Sequence, residues 1–223
     1  MAHPPDADAF QGFGRHPGWP AKLGPLLTGA GAVALRPPKL RDGAAWSRTR
    51  LRDRVYLQKW EPTSIGSWQE RNSTMAWPAQ WSALRSLGRR GLALPFTITV
   101  EGELAGQLTV GNIVRGALRS GWIGYWVTER RAGGGVATAA VALAVDHCFG
   151  PVGLHRLEAT VRPENRPSLR VLEKSGFRRE GMFERYLDVA GDWRDHYVYG
   201  LTVEEVPEGA VEALVREGRA RRP

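Results

Sequence analysis

The sequence predicts an α/β (α+β) domain, and three observations carry that prediction. Across residues 96–110 apolar and polar residues alternate on both sides of Glu101-Gly102, the pattern of a β-hairpin around a tight turn. The apolar run 122–128 then passes through a glycine cluster straight into a helical stretch of small residues, 136–149. After it, alternating Leu157, Ala159 and Val161 lead into Asn165-Arg166-Pro167, a helix start, and Ser175-Gly176, a helix stop. With 223 residues the chain holds one generous domain with tails, not two.

Residues 1–31 are rich in Pro, Gly and Ala without a sustained period and read as an N-terminal extension or arm. The domain is placed at 32–205, opening with a short strand at 33–36, and a basic tail at 206–223 holds a short helix. From Asp42, a plausible N-cap, a helix runs to about residue 59, with Trp46, Leu51 and Val55 near helical spacing. A second helix covers roughly residues 67–87, kinked or restarted by Pro78. Trp60, Trp68, Trp77 and Trp81 in this region form core or one wall of a pocket. Run 122–128 is apolar enough for a strand covered on both faces. In the helix after it, Ala137, Ala140, Val141, Ala144, Val145 and Cys148 share one face. Strands at 154–162, 179–183 and 196–203 complete the sheet, the last two joined by a turn at Ala190-Gly191-Asp192.

Composition excludes several classes. At 42% hydrophobic and 24% charged, the chain has the apolar content a packed core needs. It contains no run of ~18 uncharged apolar residues that could span a bilayer. Asp6 and Asp8 stand where a signal peptide would be basic and then greasy, so a cytoplasmic location is expected. A single cysteine, Cys148, precludes an intramolecular disulfide and any multi-cysteine metal site. The net charge of +8 invites a polyanionic partner, yet the arginines are spread along the chain, with local clusters at Arg48, Arg50, Arg52, Arg54 and at Arg216, Arg219, Arg221, Arg222. Scattered arginine is often a solvated face, and a basic surface drawing an anionic cofactor or a ribosome-associated target would look the same.

The junction after residue 128 carries the strongest chemical signal. Consecutive glycines let backbone N–H groups converge on one point, and the positive end of the following helix completes an anion site. A glycine-rich turn that lets a helix pack closely has the same sequence. The loop is not a P-loop, because no Lys-Ser or Lys-Thr follows, and it lacks the spaced third glycine of dinucleotide sites. The five histidines show no metal-ligand spacing, and no Gly-x-Ser-x-Gly elbow is present. Cys148, on an apolar helix face, reads as core.

Arg130-x-x-Gly133-x-Gly135 at a strand-to-helix junction, followed by Asn165-x-x-Ser168 and Glu173-Lys174-Ser175-Gly176-Phe177, resembles the GNAT superfamily of N-acetyltransferases. Leu35-Arg36-Pro37, Gly124-Tyr125-Trp126, His155-Arg156-Leu157-Glu158-Ala159 and Gly191-Asp192-Trp193-Arg194-Asp195 are similar to its RimJ/RimL branch, which acetylates protein N-termini. The resemblance covers residues 33–203. It implies a mixed, mostly antiparallel twisted sheet flanked by helices, acetyl-CoA as cofactor, and direct attack in a ternary complex. By position, the backbone of Val127, Thr128 and Glu129 would pair with the pantetheine. Amides from Arg131 through Gly133, Gly134, Gly135 and Val136 would hold the diphosphate, with Arg130 nearby and Ala137 and Thr138 in the first helical turn. Asn165 would contact the pantetheine arm and Ser168 would face the thiol. Many members carry a tyrosine four residues before the Gly of Gly-Phe to protonate the thiolate; here that residue is Leu172. Ser168 is ranked first as replacement, ahead of Tyr186 or a bound water.

The acceptor amine must be neutral to attack. A protein α-amine of pKa about 7.7–8.0 is roughly a tenth neutral at pH 7, whereas a lysine near 10.4 is neutral in fewer than about one molecule per thousand. An N-terminal acetyltransferase therefore needs only a modest base. Glu61, between Trp60 and Pro62, is the candidate base or ammonium contact, with Trp60 and Tyr125 beside the acceptor. A solvated loop carboxylate explains Glu61 equally well. Glu158 is a second candidate or a cross-strand partner of arginine, and Glu101 is explained by its hairpin turn. The expected acceptor is a protein N-terminus, ribosomal proteins included. A small-amine or antibiotic acceptor on the same fold, or a basic RNA- or ribosome-binding module, is the alternative. No metal and no membrane are expected as partners.

Overall fold

The hydrophobic alternation described above builds one continuous sheet in the computed structural model, which describes residues 18–223. A hairpin of β1 (Leu23–Thr28) and β2 (Gly31–Arg36) comes first, followed by four helices, α1 (Gly43–Arg52), α2 (Arg54–Gln58), α3 (Trp68–Arg71) and α4 (Trp77–Arg89). The hairpin β3 (Leu94–Val100) and β4 (Glu103–Val114) leads to β5 (Ser120–Val127), α5 (Val136–Phe149), β6 (Arg156–Val161) and α6 (Arg166–Lys174). The long hairpin β7 (Arg178–Val189) and β8 (Asp192–Thr202) and the short α7 (Ala210–Arg216) complete it. Among the described residues the strand order is β1-β2-β3-β4-β5-β6-β8-β7. Every neighbouring pair is antiparallel except β5 with β6, whose parallel direction requires the crossover that α5 supplies. The mixed, mostly antiparallel sheet flanked by helices is thus the observed architecture.

Several local expectations are corrected. Residues 23–28 of the stretch taken as an extension form β1, because Leu26 drops into the core and the strand hydrogen-bonds to β2; residues 1–17 lie outside the described residues. The tail taken from 206 onwards is docked: Ala210, Val211 and Leu214 of α7 are buried against α5, and the half-buried carboxylate of Asp146 accepts from the N–H groups of Ala210 and Val211 (2.5 and 3.1 Å). The helix expected from residue 42 to about 59 breaks at Asp53 into α1 and α2, and the one at 67–87 breaks ahead of α4, with Pro78 tolerated in its first turn. Asp42 does not cap α1 with its side chain; it takes a bidentate pair from Arg36 (2.8 Å each) and the Lys39 N–H (2.8 Å).

The core lies between the sheet and α5. Small residues let this helix approach the strands closely, and Ala139 through Ala142, Ala144 and Val145 are almost completely buried. Apolar burial is not confined to the one face expected, because α6 and α7 pack against α5 in addition to the strands of the sheet. Cys148 is fully buried here, and that burial pushes its thiol well above the ordinary value, as for a core residue. Trp46 and Trp77 pack ring to ring at 5.0 Å and Trp68 is buried, so Trp68 and Trp77 of the tryptophan cluster are core, while Trp60 and Trp81 are half-buried. Among the described residues no helix is long and apolar enough to cross a membrane.

Candidate active site

Strands β5 and β6 pair at only three positions, Ser120 with Arg156, Gly121 with Leu157 and Trp122 with Glu158. Beyond Trp122 they part, although β5 runs on to Val127 and β6 to Val161. The edge of β5 thereby faces a cavity of about 1000 Å³ instead of a neighbouring strand. Backbone N–H and C=O groups seek partners, and an open strand edge in a cleft suits an extended, amide-bearing chain. Run 122–128 is therefore apolar for a different reason than two-sided burial: Trp122, Gly124, Tyr125, Trp126 and Val127 line the cavity, and Trp122 is 42% exposed.

One end of the cavity is built from backbone. Gly133 (φ +80°) and Gly135 (φ +84°) occupy the left-handed region that favours glycine, and an added Cβ at Gly133 would meet open space. Gly135 precedes the 14-residue α5, whose opening residues Val136, Ala137 and Thr138 line the wall and present its unpaired N–H groups. Arg131 adds a cation in this loop, and Arg170 and Lys174 of α6 also line the cavity. The base of the loop is anchored by buried Asp53, at the joint between α1 and α2. Its carboxylate accepts from Thr128 Oγ1 (2.6 Å), the Glu129 N–H (3.0 Å) and Arg52 Nε (2.7 Å). Burial alone would raise the Asp53 carboxyl, but hydrogen bonds from Arg52, Thr128 and the Glu129 backbone bring it below its usual value.

The middle of the cavity lies at α6. Asn165 caps that helix through Ser168 N–H (3.3 Å), and both residues line the wall. The Tyr125 hydroxyl stands 3.0 Å from Ser168 Oγ and 3.4 Å from its carbonyl oxygen. Burial pushes the Tyr125 phenol well above its ordinary value, only partly offset by Ser168, so it stays protonated. Leu172 is wholly buried in the core, not in the cavity wall.

The other end is built from side chains. The Glu61 carboxylate forms two contacts with the Arg50 guanidinium (2.5 and 2.8 Å), and Arg71 lies 3.7 Å away. Arg50 is itself buried, donates Nε to Asn72 Oδ1 (2.7 Å), and sits 4.7, 5.1 and 5.9 Å from the ring centroids of Trp68, Trp126 and Trp46. Gln107 Oε1 fixes two of those rings by accepting from Trp46 and Trp126 Nε1 (3.0 and 3.1 Å). The loop carrying Trp60 and Glu61 is held to the β7–β8 hairpin by Thr63, whose N–H donates to the Asp188 carbonyl (2.8 Å) and whose hydroxyl meets Asp188 Oδ1 (2.7 Å).

Of the residues expected in the site, Val127, Arg131, Gly133, Gly135, Val136, Ala137, Thr138, Asn165, Ser168, Trp60, Glu61 and Tyr125 all line this one cavity. Thr128, Glu129, Arg130 and Gly134 are not among its lining residues: Thr128 turns to Asp53, Glu129 and Arg130 are exposed, and Gly134 packs on Ala30. Tyr186, the alternative acid, stacks near Phe183 and His196 (4.9 and 5.6 Å) and does not line the cavity. Glu158 pairs with Arg156 (2.8 Å), and Glu101 accepts from the Ala32 N–H (2.6 Å), so both have structural roles. Arg50, Gln107 and Trp126 were missed. Arg50 belongs to a cluster that looks like a solvated face, and its four-residue spacing from Trp46 was the available hint.

Residues 33–178 match the family model described as Acetyltransferase (GNAT) domain. Among solved structures, RimJ of Mycobacterium smegmatis in complex with CoA-disulfide is 54% identical, with a TM-score of 0.92 over 93% of this chain and all of that one. Among curated proteins, the [ribosomal protein uS5]-alanine N-acetyltransferase of Escherichia coli (strain K12) is 29% identical over 76% of this chain and 88% of that protein. Probable N-acetyltransferase YjcK of Bacillus subtilis (strain 168) is 42% identical over 45% of this chain and 56% of its own length. The parted strands, the glycine loop at the head of α5 and these matches agree, and the chain belongs to the GNAT family of acetyltransferases.

Proposed function

We propose that this chain transfers the acetyl group of acetyl-CoA to the α-amine of a protein N-terminus, with a ribosomal protein as the natural class of acceptor. The observation that carries the reading is the single cavity that joins an open strand edge, an anion-binding loop and Ser168 to the wall formed by Trp60 and Glu61. The cavity fits the cofactor: unpaired β5 backbone for the pantetheine amides, loop and helix N–H groups with Arg131, Arg170 and Lys174 for the phosphates. The CoA-disulfide complex of Mycobacterium smegmatis RimJ supports CoA as the ligand, and the Escherichia coli [ribosomal protein uS5]-alanine N-acetyltransferase supports a ribosomal-protein alanine as the acceptor.

Acetyl-CoA supplies an activated thioester carbonyl. Backbone N–H groups of β5 near Val127 offer hydrogen bonds to the carbonyl oxygen as it gains negative charge. Glu61, held in place by Arg50, faces the amine and orients it or takes its proton, directly or through water. Ser168 hydrogen-bonds the departing thiolate and relays a proton to it, recovering its own from solvent, so that the serine stays neutral. Tyr125 assists by donating to Ser168 Oγ, which leaves the serine hydrogen free to point into the cavity.

Calorimetric titration with acetyl-CoA, followed by CoA-thiol release with panels of N-terminal peptides and small amines, tests this reading. Binding with peptide-dependent turnover is expected. Turnover confined to small amines would replace the acceptor, and absence of CoA binding would overturn the reading.

A further inference from the structure

Two pieces of chain outside the family match at residues 33–178 meet behind the glycine loop. Leu27 of β1 exchanges two backbone hydrogen bonds with Arg221 near the C-terminus (2.8 and 2.9 Å). The turn between β1 and β2 is held by three further bonds. Thr28 Oγ1 donates to the Gly31 carbonyl (3.1 Å) and accepts from the Ala30 N–H (3.2 Å), and Glu101 accepts from the Ala32 N–H (2.6 Å). The tip of this turn rests on the glycine loop. Arg131 donates to the Ala30 carbonyl (3.2 Å), and a Cβ built on Gly134 would stand 2.7 Å from the Ala30 Cβ.

The three glycines therefore have separate causes. Gly133 and Gly135 answer to positive φ. Gly134 does not have a φ in the left-handed region, so an alanine there meets no backbone strain; what it meets is Ala30. Once the Ala30 methyl is set aside, the nearest atoms are Ala30 Cα and N at 3.5 Å, an ordinary contact. We propose that the β1–β2 turn, acting through Ala30, is a positioning element that sets the shape of the diphosphate-binding loop. The inference rests on the acetyl-CoA reading above. Convergent N–H donors depend on tenths of an ångström in placement, so a loop displaced by a clash with the turn holds an anion less well. Cofactor affinity then depends on a turn that lies outside the family match.

Compensating substitutions test it on the full chain, with CoA affinity by calorimetry, melting temperature, and the KM for acetyl-CoA against kcat as readouts. Gly134→Ala should raise the Kd for CoA and the KM for acetyl-CoA by about ten-fold or more, with kcat at saturation little changed. Ala30→Gly alone should weaken binding by about two-fold, and the Ala30→Gly, Gly134→Ala double variant should return to within about three-fold of the parent, because the clash is gone. Should Gly134→Ala fail to fold, recovery of both folding and CoA affinity in the double variant supports the proposal equally. The proposal is overturned if Gly134→Ala binds CoA like the parent, or if the double variant stays as weak as the single one. Gly133→Asp separates the two readings, since it places a carboxylate in open space in the loop without touching Ala30, at a left-handed φ that aspartate adopts more readily than most side chains. Loss of CoA in Gly133→Asp alongside normal binding in Gly134→Ala would discard only the turn's role, whereas normal binding in Gly133→Asp would discard the diphosphate reading itself.

Discussion

The two ends of the cavity are made of different materials. The loop end consists of backbone from one continuous stretch, with conformation set by glycine and by the start of α5. The other end, assigned to the acceptor in the proposed function, consists of side chains drawn from α1, the loops flanking α3, and strands β4 and β5, assembled around one buried arginine. A backbone site written in consecutive residues can be altered only by changing glycine or its supports. A side-chain site assembled across the fold can be retuned one residue at a time, which suits the half of a transferase that distinguishes acceptors.

Substitution of Arg50 should separate the two ends most severely. Arg50→Met leaves Glu61 without its bidentate partner and Asn72 without its donor, and should cost about 3 kcal/mol of stability by chemical denaturation. Peptide kcat/KM should fall by about 100-fold, while the Kd for CoA shifts by less than about two-fold. A proportional loss of CoA affinity would show that the two ends are not independent. At the junction between them, Ser168→Ala should reduce kcat by about 10² with the KM for acetyl-CoA nearly unchanged in steady-state assays.

A smaller change is expected from Tyr125→Phe. Removing one buried hydrogen bond worth about 1 kcal/mol should lower kcat by about five-fold, and combining it with Ser168→Ala should add little, since both act through the same hydroxyl. Glu61→Gln probes the acceptor end through pH. Turnover of an N-terminal peptide by the parent should climb from about pH 7 to 8.5 as the α-amine deprotonates. If Glu61→Gln left both that profile and kcat/KM intact, Glu61 would be neither base nor ammonium contact.

The mildest consequence concerns the loop's anchor. The Asp53 carboxyl is held below its unfolded value, so it contributes stability that is present above about pH 4 and is lost as pH falls through its lower folded value. Melting temperatures of Asp53→Asn should therefore decline less steeply than the parent's below about pH 4, though from a lower starting point.

Period-two alternation predicted the β3–β4 hairpin, and the small-residue run predicted α5 with the observed boundaries, because both signals lie in consecutive residues. β1 was illegible: Leu23–Thr28 contains Gly24 and Pro25 and only one buried leucine, and it becomes a strand because β2 and Arg221 pair with it. The breaks at Asp53 and ahead of α4 were equally hidden, since Asp53 leaves the helix to bond Thr128 and Glu129, 75 or more residues away.

The fold class, the strand-to-helix glycine loop and the Asn165 cap were thus written in the sequence alone. These rest on local backbone preferences and on spacing along the chain. It took the folded molecule to reveal that β5 and β6 part after three pairs, that Arg50 is buried beneath Glu61, and that a Cβ at Gly134 would meet Ala30. Those features depend on contacts between segments far apart in the chain, and steric fit between distant segments leaves no periodic trace in either of them.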